Sequence, residues 1–499
     1  MWRLLTPPAY KTEQTGPEAD AKYKRLRWQV FLGIFIGYAG FYIVRKNFSM
    51  AIPMLADFGF EKGELGVVLS MNAIAYGFSK FIMASISDRS NARAFLPLGL
   101  TMAAISMLFM IVPIQWIGAE HKSLAIVLMA ALNFLVGWFN GMGWPPCGRV
   151  MTHWFSIKER GTWMSFWNCA HNVGGALVGP MAVYGALWFG SWFYGADEKR
   201  YFLIGTYAFP AAVAVLIAIV AYLMIRDTPQ SCGLSSIEKW SGVASKNYNE
   251  KAEEVLSTKE IFKVVLGNKF LWYIAFANAF VYMVRYGCLD WAPTILTDKG
   301  VDIKSAGWAY FAYEMAAIPG TIICGWLSDR FFHGRRALPT IIFMALVAIA
   351  IVVYWQNLDN VNVVVGCLIA IGFFIYGPVM LIGVQALDLA PKNAAGTAAG
   401  LTGFMGYVLG TALLANIVIG YVADTAGWDW TFILLIVACG LSVLFMGLTY
   451  REEQYLVEKQ NSADKKQNNV FKKQSSWLVG GEGSVVLSDC CSFLPQGTH

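Results

Sequence analysis

Twelve mainly apolar runs of about 20 residues, the length a helix needs to cross a bilayer, follow one another along the chain between short polar breaks. They cover 28–50, 64–86, 94–114, 123–145, 162–187, 202–225, 270–290, 306–328, 338–355, 361–386, 396–422 and 428–449. This pattern predicts an all-α membrane protein with twelve transmembrane helices. One polar break is much longer than the others. It spans 226–269 and divides the runs six and six, so the expected organisation is an N-terminal segment 1–27, a six-helix bundle 28–225, a linker 226–269, a second bundle 270–450 and a tail 451–499. Disorder is the expectation for that tail, as for most untethered termini.

Composition narrows the class further. Of the 499 residues, 57% are hydrophobic, 15% aromatic and only 14% charged, against about a quarter charged in soluble domains. That leaves too little polar surface to cover a water-soluble globule, and it is the opposite of a disordered composition. The nine cysteines lack the spacing of a disulfide framework or a zinc site and read as reduced core residues. Met1 to Arg27 is polar and basic, which argues against a cleavable signal peptide. The net charge of +6 marks a membrane side rather than a nucleic-acid partner. With the N-terminus inside, 28 of the 38 lysines and arginines fall in cytoplasmic segments and six on the opposite side. That asymmetry places both termini in the cytoplasm. Four cations remain for the membrane: Arg45, Lys46, Lys80 and Arg285.

The two halves repeat each other. Tyr42-Ile43-Val44-Arg45 recurs as Tyr282-Met283-Val284-Arg285, Ser87-Asp88-Arg89 as Ser328-Asp329-Arg330, and Gly161-Thr162 as Gly396-Thr397. The order is the same and the offset is nearly constant. Two six-span halves of one topology are the parallel repeat of the major facilitator fold, whose substrate site lies near the midplane between the halves.

An arginine at mid-membrane costs about 2.5–3.5 kcal/mol on insertion scales. Two of them at repeat-related positions imply use, although a single one could snorkel or sit in a structural ion pair. Tyr38, Tyr42 and Arg45 share one helix face, and Asn278, Tyr282 and Arg285 repeat that spacing. Two guanidiniums converging across a pseudo-two-fold axis suit a doubly charged tetrahedral anion, because the planar fork matches phosphate oxygens. Lys80, one turn after Tyr76, could add to this field or pair with an acid. Lys46 points about 100° away from Arg45, towards an acid of the other half, for which Asp290 and Glu314 are the candidates. Glu314 alone fits a structural carboxylate equally well. His171, one turn after Asn168, fits either packing or ligand contact, and its ordinary pKa near 6.5 lies close to the second pKa of a phosphate monoester, about 6. No phosphate-cradling glycine loop, metal-spaced His/Cys cluster or nucleophile elbow occurs in the sequence. Neither an enzyme nor a cofactor is therefore expected.

Several longer segments resemble the organophosphate:phosphate antiporters, and among them the branch that carries glycerol 3-phosphate. They are Gly37-Tyr38 with Phe41-Tyr42-Ile43-Val44-Arg45-Lys46-Asn47-Phe48, Trp144-Pro145-Pro146-Cys147-Gly148-Arg149, Trp167-Asn168-Cys169-Ala170-His171-Asn172-Val173-Gly174-Gly175, Arg226-Asp227-Thr228-Pro229-Gln230-Ser231-Cys232-Gly233 and Tyr376-Gly377-Pro378-Val379-Met380. The likeness runs from about residue 20 to 450. It implies exchange of external glycerol 3-phosphate for internal inorganic phosphate across a bacterial inner membrane, by rocking of two halves in a monomer. It also implies roles for residues: Arg45 and Arg285 hold the phosphate, and His171 assists them. Lys80, Tyr38, Tyr42, Tyr76, Asn168, Tyr282, Tyr376 and Tyr407 line the cavity. Lys46, Asp290 and Glu314 form a charged set that links the halves. The acid and lysine that the hexose-phosphate branch places in its eleventh span have no counterpart in the uncharged stretch Gly396 to Tyr421, which favours a small organophosphate. One relative of that branch is a membrane sensor rather than a carrier, so binding without transport is the competing expectation.

Overall fold

A computed structural model describes residues 5–87, 89–116, 121–192, 198–241, 258–332, 335–389 and 395–479. All regular elements among them are helical. The spanning helices are α1 (Pro17–Ala56), α2 (Lys62–Ser87), α3 (Ala92–Leu108), α4 (Lys122–Asn140), α5 (Ile157–Trp192), α6 (Glu198–Met224), α7 (Lys269–Asp298), α8 (Ile303–Arg330), α9 (Ala337–Gln356), α10 (Val361–Asp388), α11 (395–425) and α12 (Trp428–Val479). They form the two six-helix bundles of a major facilitator fold. Eight of the described helices are apolar enough to cross a membrane on length and composition alone. The other long ones, α2, α5, α7 and α8, all contribute to the contact between bundles.

Local sequence sets the helix starts. The side chains of Asn91, Asn268, Asp302 and Asn360 accept backbone N–H groups at the first turns of α3, α7, α8 and α10, satisfying donors that a helix leaves open at its start. The linker is less featureless than its polarity suggests. Asp227 accepts the N–H of Ala92 at 2.9 Å and pairs with Arg149 at 3.0 Å, fastening the linker's first turn beneath the first bundle. An amphipathic helix, Thr258–Gly267, precedes α7.

Three helices depart from uniform geometry. α1 breaks at Lys46 (φ −112°, ψ 4°), where the Asn47 amide donates to the Ile43 carbonyl at 2.6 Å. α11 carries a π-helical stretch, Met405–Val418, between α-helical ends. Its repeat-related partner α5 is one 36-residue α-helix, so the halves differ here. Residues 451–479 of the tail are helical, at the end of α12. From 451 to 479 the sequence has neither Gly nor Pro and is rich in Glu, Gln and Lys, whereas Gly480-Gly481 follow at once. Residues 480–499 lie outside the described residues. The chain divides into two units, Met1–Tyr450 and Arg451–His499, and both bundles belong to the first.

The bundles meet along two repeat-related seams, α2 against α11 and α5 against α8, with the end of α1 against α7. Glycines bring backbones together there: a Cβ on Gly66 would stand 2.3 Å from the Asn416 carbonyl oxygen, and one on Gly179 the same distance from that of Gly307. On the side away from the linker, Lys62 pairs with Asp298 at 2.8 Å, and the Asp424 carboxylate accepts the N–H groups of Lys62 and Gly63. That side is closed. The seven cysteines among the described residues are free thiols.

Candidate functional site between the bundles

Arg45 closes the first part of α1, and Arg285 lies mid-way along α7. Both are buried, 4% and 5% exposed. Neither has a carboxylate within ion-pairing distance among the described residues, and the Nε–H of each is without a partner. Aromatic faces take the place of anions. The Arg45 guanidinium lies 3.8 Å from the ring centre of Tyr76 and 5.3 Å from that of Tyr407; Arg285 lies 4.0 Å from Tyr376 and 4.8 Å from Tyr286. Each such contact stabilises a cation by about 0.5–2 kcal/mol while the Nε–H of each arginine is left for an oxyanion.

These rings form a chain between bundles. Tyr76 packs on Tyr407 at 4.9 Å and Tyr407 on Tyr282 at 5.2 Å. On the other flank, Tyr38 packs on Tyr42 at 5.5 Å, Tyr42 on His171 at 5.5 Å, and His171 on Tyr376 at 6.1 Å. Tyr407, 5.3 Å from the Arg45 guanidinium, packs on Tyr282, whose ring lies 5.8 Å from the Arg285 guanidinium, so the two cations lie on one run of rings. The His171 ring Nδ1 engages the Asn168 carbonyl. Lys80 and Asn168 are exposed on the linker side of the arginines. Lys80 stands 5.7 Å over the Trp144 ring.

Lys46, at the break of α1, points away from Arg45. Its Nζ meets both oxygens of Asp290, at 2.8 and 2.7 Å, and lies 3.9 Å over the Tyr286 ring. Asp290 is fully buried. Glu314 sits apart from that pair: its carboxylate accepts the Asn172 amide at 3.2 Å and abuts Gly175 across the α5–α8 seam. Of the two acids available to Lys46, the structure therefore brings one to it.

Two residues that complete this arrangement were not singled out from the sequence. Tyr286 touches both Lys46 and Arg285, and Asn172 is the partner of Glu314. A signal for Tyr286 existed in its place one turn before Asp290 on α7, but an aromatic beside an arginine reads equally as core.

The match to known proteins follows this geometry. The family model described as Major Facilitator Superfamily matches residues 31–415. The chain belongs to the major facilitator superfamily, within its organophosphate:phosphate antiporter family. It is 52% identical over 459 residues to the glycerol-3-phosphate transporter of Bacillus subtilis, covering 90% of this chain and 98% of that one. It is 47% identical to the glycerol-3-phosphate transporter of Haemophilus influenzae, covering 91% and 97%. Among solved structures, a bacterial homologue of the human lysosomal transporter Spinster, inward-facing and unoccupied, superposes with a TM-score of 0.67 at 15% identity, over 87% of this chain and 97% of that one. At that identity the likeness speaks for the fold alone.

Proposed function

We propose that the protein exchanges external glycerol 3-phosphate for internal inorganic phosphate across a bacterial inner membrane, with both termini cytoplasmic, by alternating access of its two bundles. One observation carries this reading: two buried arginines, one per bundle, stand on the aromatic rings that join the bundles, without an ion pair among the described residues. A phosphate dianion offers each guanidinium two oxygens in bidentate geometry, and it offsets the repulsion between the two like charges. Relatives at 47–52% identity named as glycerol-3-phosphate transporters supply the organic part of the substrate.

In this mechanism the anion binds Arg45 and Arg285 and draws their helices, α1 and α7, towards each other. Tyr38, Tyr42, Tyr76, Tyr282, Tyr376 and Tyr407 exclude water and offer hydroxyls, and His171 stands within reach of the same anion. Lys80 and Asn168 attract and pass the anion at the linker-side mouth. Motion of α1 and α7 strains the Lys46–Asp290 pair, which lies one residue from Arg45 and on the same helix as Arg285, while Glu314 holds the α5–α8 seam. An anion with differential affinity for two arrangements then shifts their populations. Both phosphate and glycerol 3-phosphate satisfy the pair, so either carries the bundles across and neither moves freely without exchange.

Right-side-out vesicles preloaded with phosphate are expected to take up labelled glycerol 3-phosphate, and phosphate-free vesicles to take up little. Binding without uptake in the loaded vesicles would instead make the protein a sensor.

A further inference from the structure

A second recess lies far from the arginines. On the linker side, the amphipathic helix Thr258–Gly267 docks on the first turns of α11 through Val265, which is fully buried with Leu271 and Ala398. Beside that contact a groove of about 570 Å³ opens, lined by Phe262, Val265, Leu266, Thr397, Gly400, Leu401 and Phe404. Phe262 and Leu266 are left half-exposed, 51% and 46%, a surface suited to an apolar neighbour. The helix's own periodicity puts Lys259 and Lys263, both exposed, one turn apart along the edge next to Phe262 and Leu266. At the helix end the Trp272 indole N–H donates to the Leu266 carbonyl at 2.9 Å, a tryptophan with one apolar and one polar edge, as membrane interfaces favour.

We propose that this groove seats an acyl chain of an anionic phospholipid from the linker-side leaflet, with the headgroup phosphate held by Lys259 and Lys263. An acyl chain is the apolar matter available at this depth, and a helix with one basic edge and one apolar face lies in the interface with its lysines among anionic headgroups. The groove's far wall gives the lipid a consequence. Phe404 is the last residue before the π-helical stretch of α11, and it makes an edge contact at 5.8 Å with Phe78 of the first bundle. A chain in the groove braces Phe404 against Phe78 and so supports the arrangement in which the linker side carries the exposed Lys80 and Asn168.

The proposal is independent of the transported substrate, and its test does not read transport. Full-length protein is reconstituted in vesicles of equal parts phosphatidylglycerol and phosphatidylcholine, and its retained lipid is read by native mass spectrometry, with thermal stability measured in parallel. The wild type is expected to retain phosphatidylglycerol in preference to phosphatidylcholine, to keep it in excess inorganic phosphate, and to melt higher with it. The double variant Lys259→Gln, Lys263→Gln is expected to lose the preference, and Leu401→Trp, which fills the groove, to lose retention altogether. Equal retention of the two lipids by the wild type, displacement by inorganic phosphate, or an unchanged preference in the lysine variant would each overturn it. The lysine variant alters exposed residues, so it decides the matter even if the tryptophan variant does not fold.

Discussion

Arg45 and Arg285 owe their reactivity to what surrounds them. Stacked on tyrosines rather than ion-paired with acids, they keep full charge at buried positions, where charge-assisted hydrogen bonds are strongest. Lysine in place of either removes the bidentate fork but keeps the charge. Tyr286 is the residue whose role is least visible outside the fold, since one ring serves Lys46 at 3.9 Å and Arg285 at 4.8 Å. It couples the anion site to the Lys46–Asp290 pair. Tyr286→Leu is expected to weaken phosphate binding about two- to thirtyfold, the loss of one buried cation–π contact, and to slow exchange; Tyr286→Phe, which keeps the ring, is expected to bind and exchange nearly as the wild type does. Phosphate titration of the purified variants, with exchange rates alongside, checks both. The arginines were legible in the sequence because a repeat duplicated them. Tyr286 was not, because neither hydropathy nor spacing separates a ring under two cations from one in a core.

Helix identity and order followed from the apolar runs, since a bilayer forces each run into a helix. The breaks inside helices did not. Nothing in the apolar count distinguishes a residue in the break of α1 from its neighbours, although the break falls at Lys46, beside Arg45. The π-helical part of α11 is also invisible to periodicity over a uniformly apolar stretch. It depends on α7, whose side chains occupy carbonyls near both ends: Asn278 donates to Thr402 and Trp291 to Ala415, each at 2.8 Å. Such side-chain bonds accommodate the carbonyls that a π segment displaces from the α-helical ladder. Trp291→Phe deletes one bond and also empties the space of one ring of a fully buried indole, with an expected loss of about 1–3 kcal/mol and little change in phosphate affinity. Denaturation in detergent reads the first and titration the second.

For the whole molecule, the polar contacts that join helix ends of the two bundles lie on the side away from the linker. Asp424, at the end of α11, accepts the first N–H groups of α2, so a carboxylate of one bundle caps a helix of the other. Lys62 extends the same junction to Asp298, which also accepts the Trp428 indole N–H at 2.9 Å. Opening this side must break the cap and the ion pair together. Asp424→Asn and Lys62→Met are therefore expected to shift the population towards the opposite opening. Gly66→Ala, which would drive a methyl group into the Asn416 carbonyl, should act in the same direction. Labelling of a cysteine introduced beside Arg45 from each side of the membrane reports it: faster labelling from the side away from the linker is the expected outcome, and unchanged labelling in all three variants would remove this junction as a gate. The two-bundle plan was legible from the repeat and the linker. The closed side was not, because it depends on which of two near-equal arrangements the seams adopt.

The central claim is that one oxyanion is shared by two arginines from different bundles, and phosphate affinity in a double-mutant cycle tests it most directly. Wild type, Arg45→Lys, Arg285→Lys and the double variant are titrated with inorganic phosphate as folded, purified proteins. Each single change is expected to lower affinity on the order of ten- to a hundredfold, the loss of charge-assisted bonds contributing about 1.5–3 kcal/mol, and the double change to cost clearly less than the sum, because both side chains hold the same ligand. Wild-type affinity in either single variant, or strictly additive losses, would contradict the account.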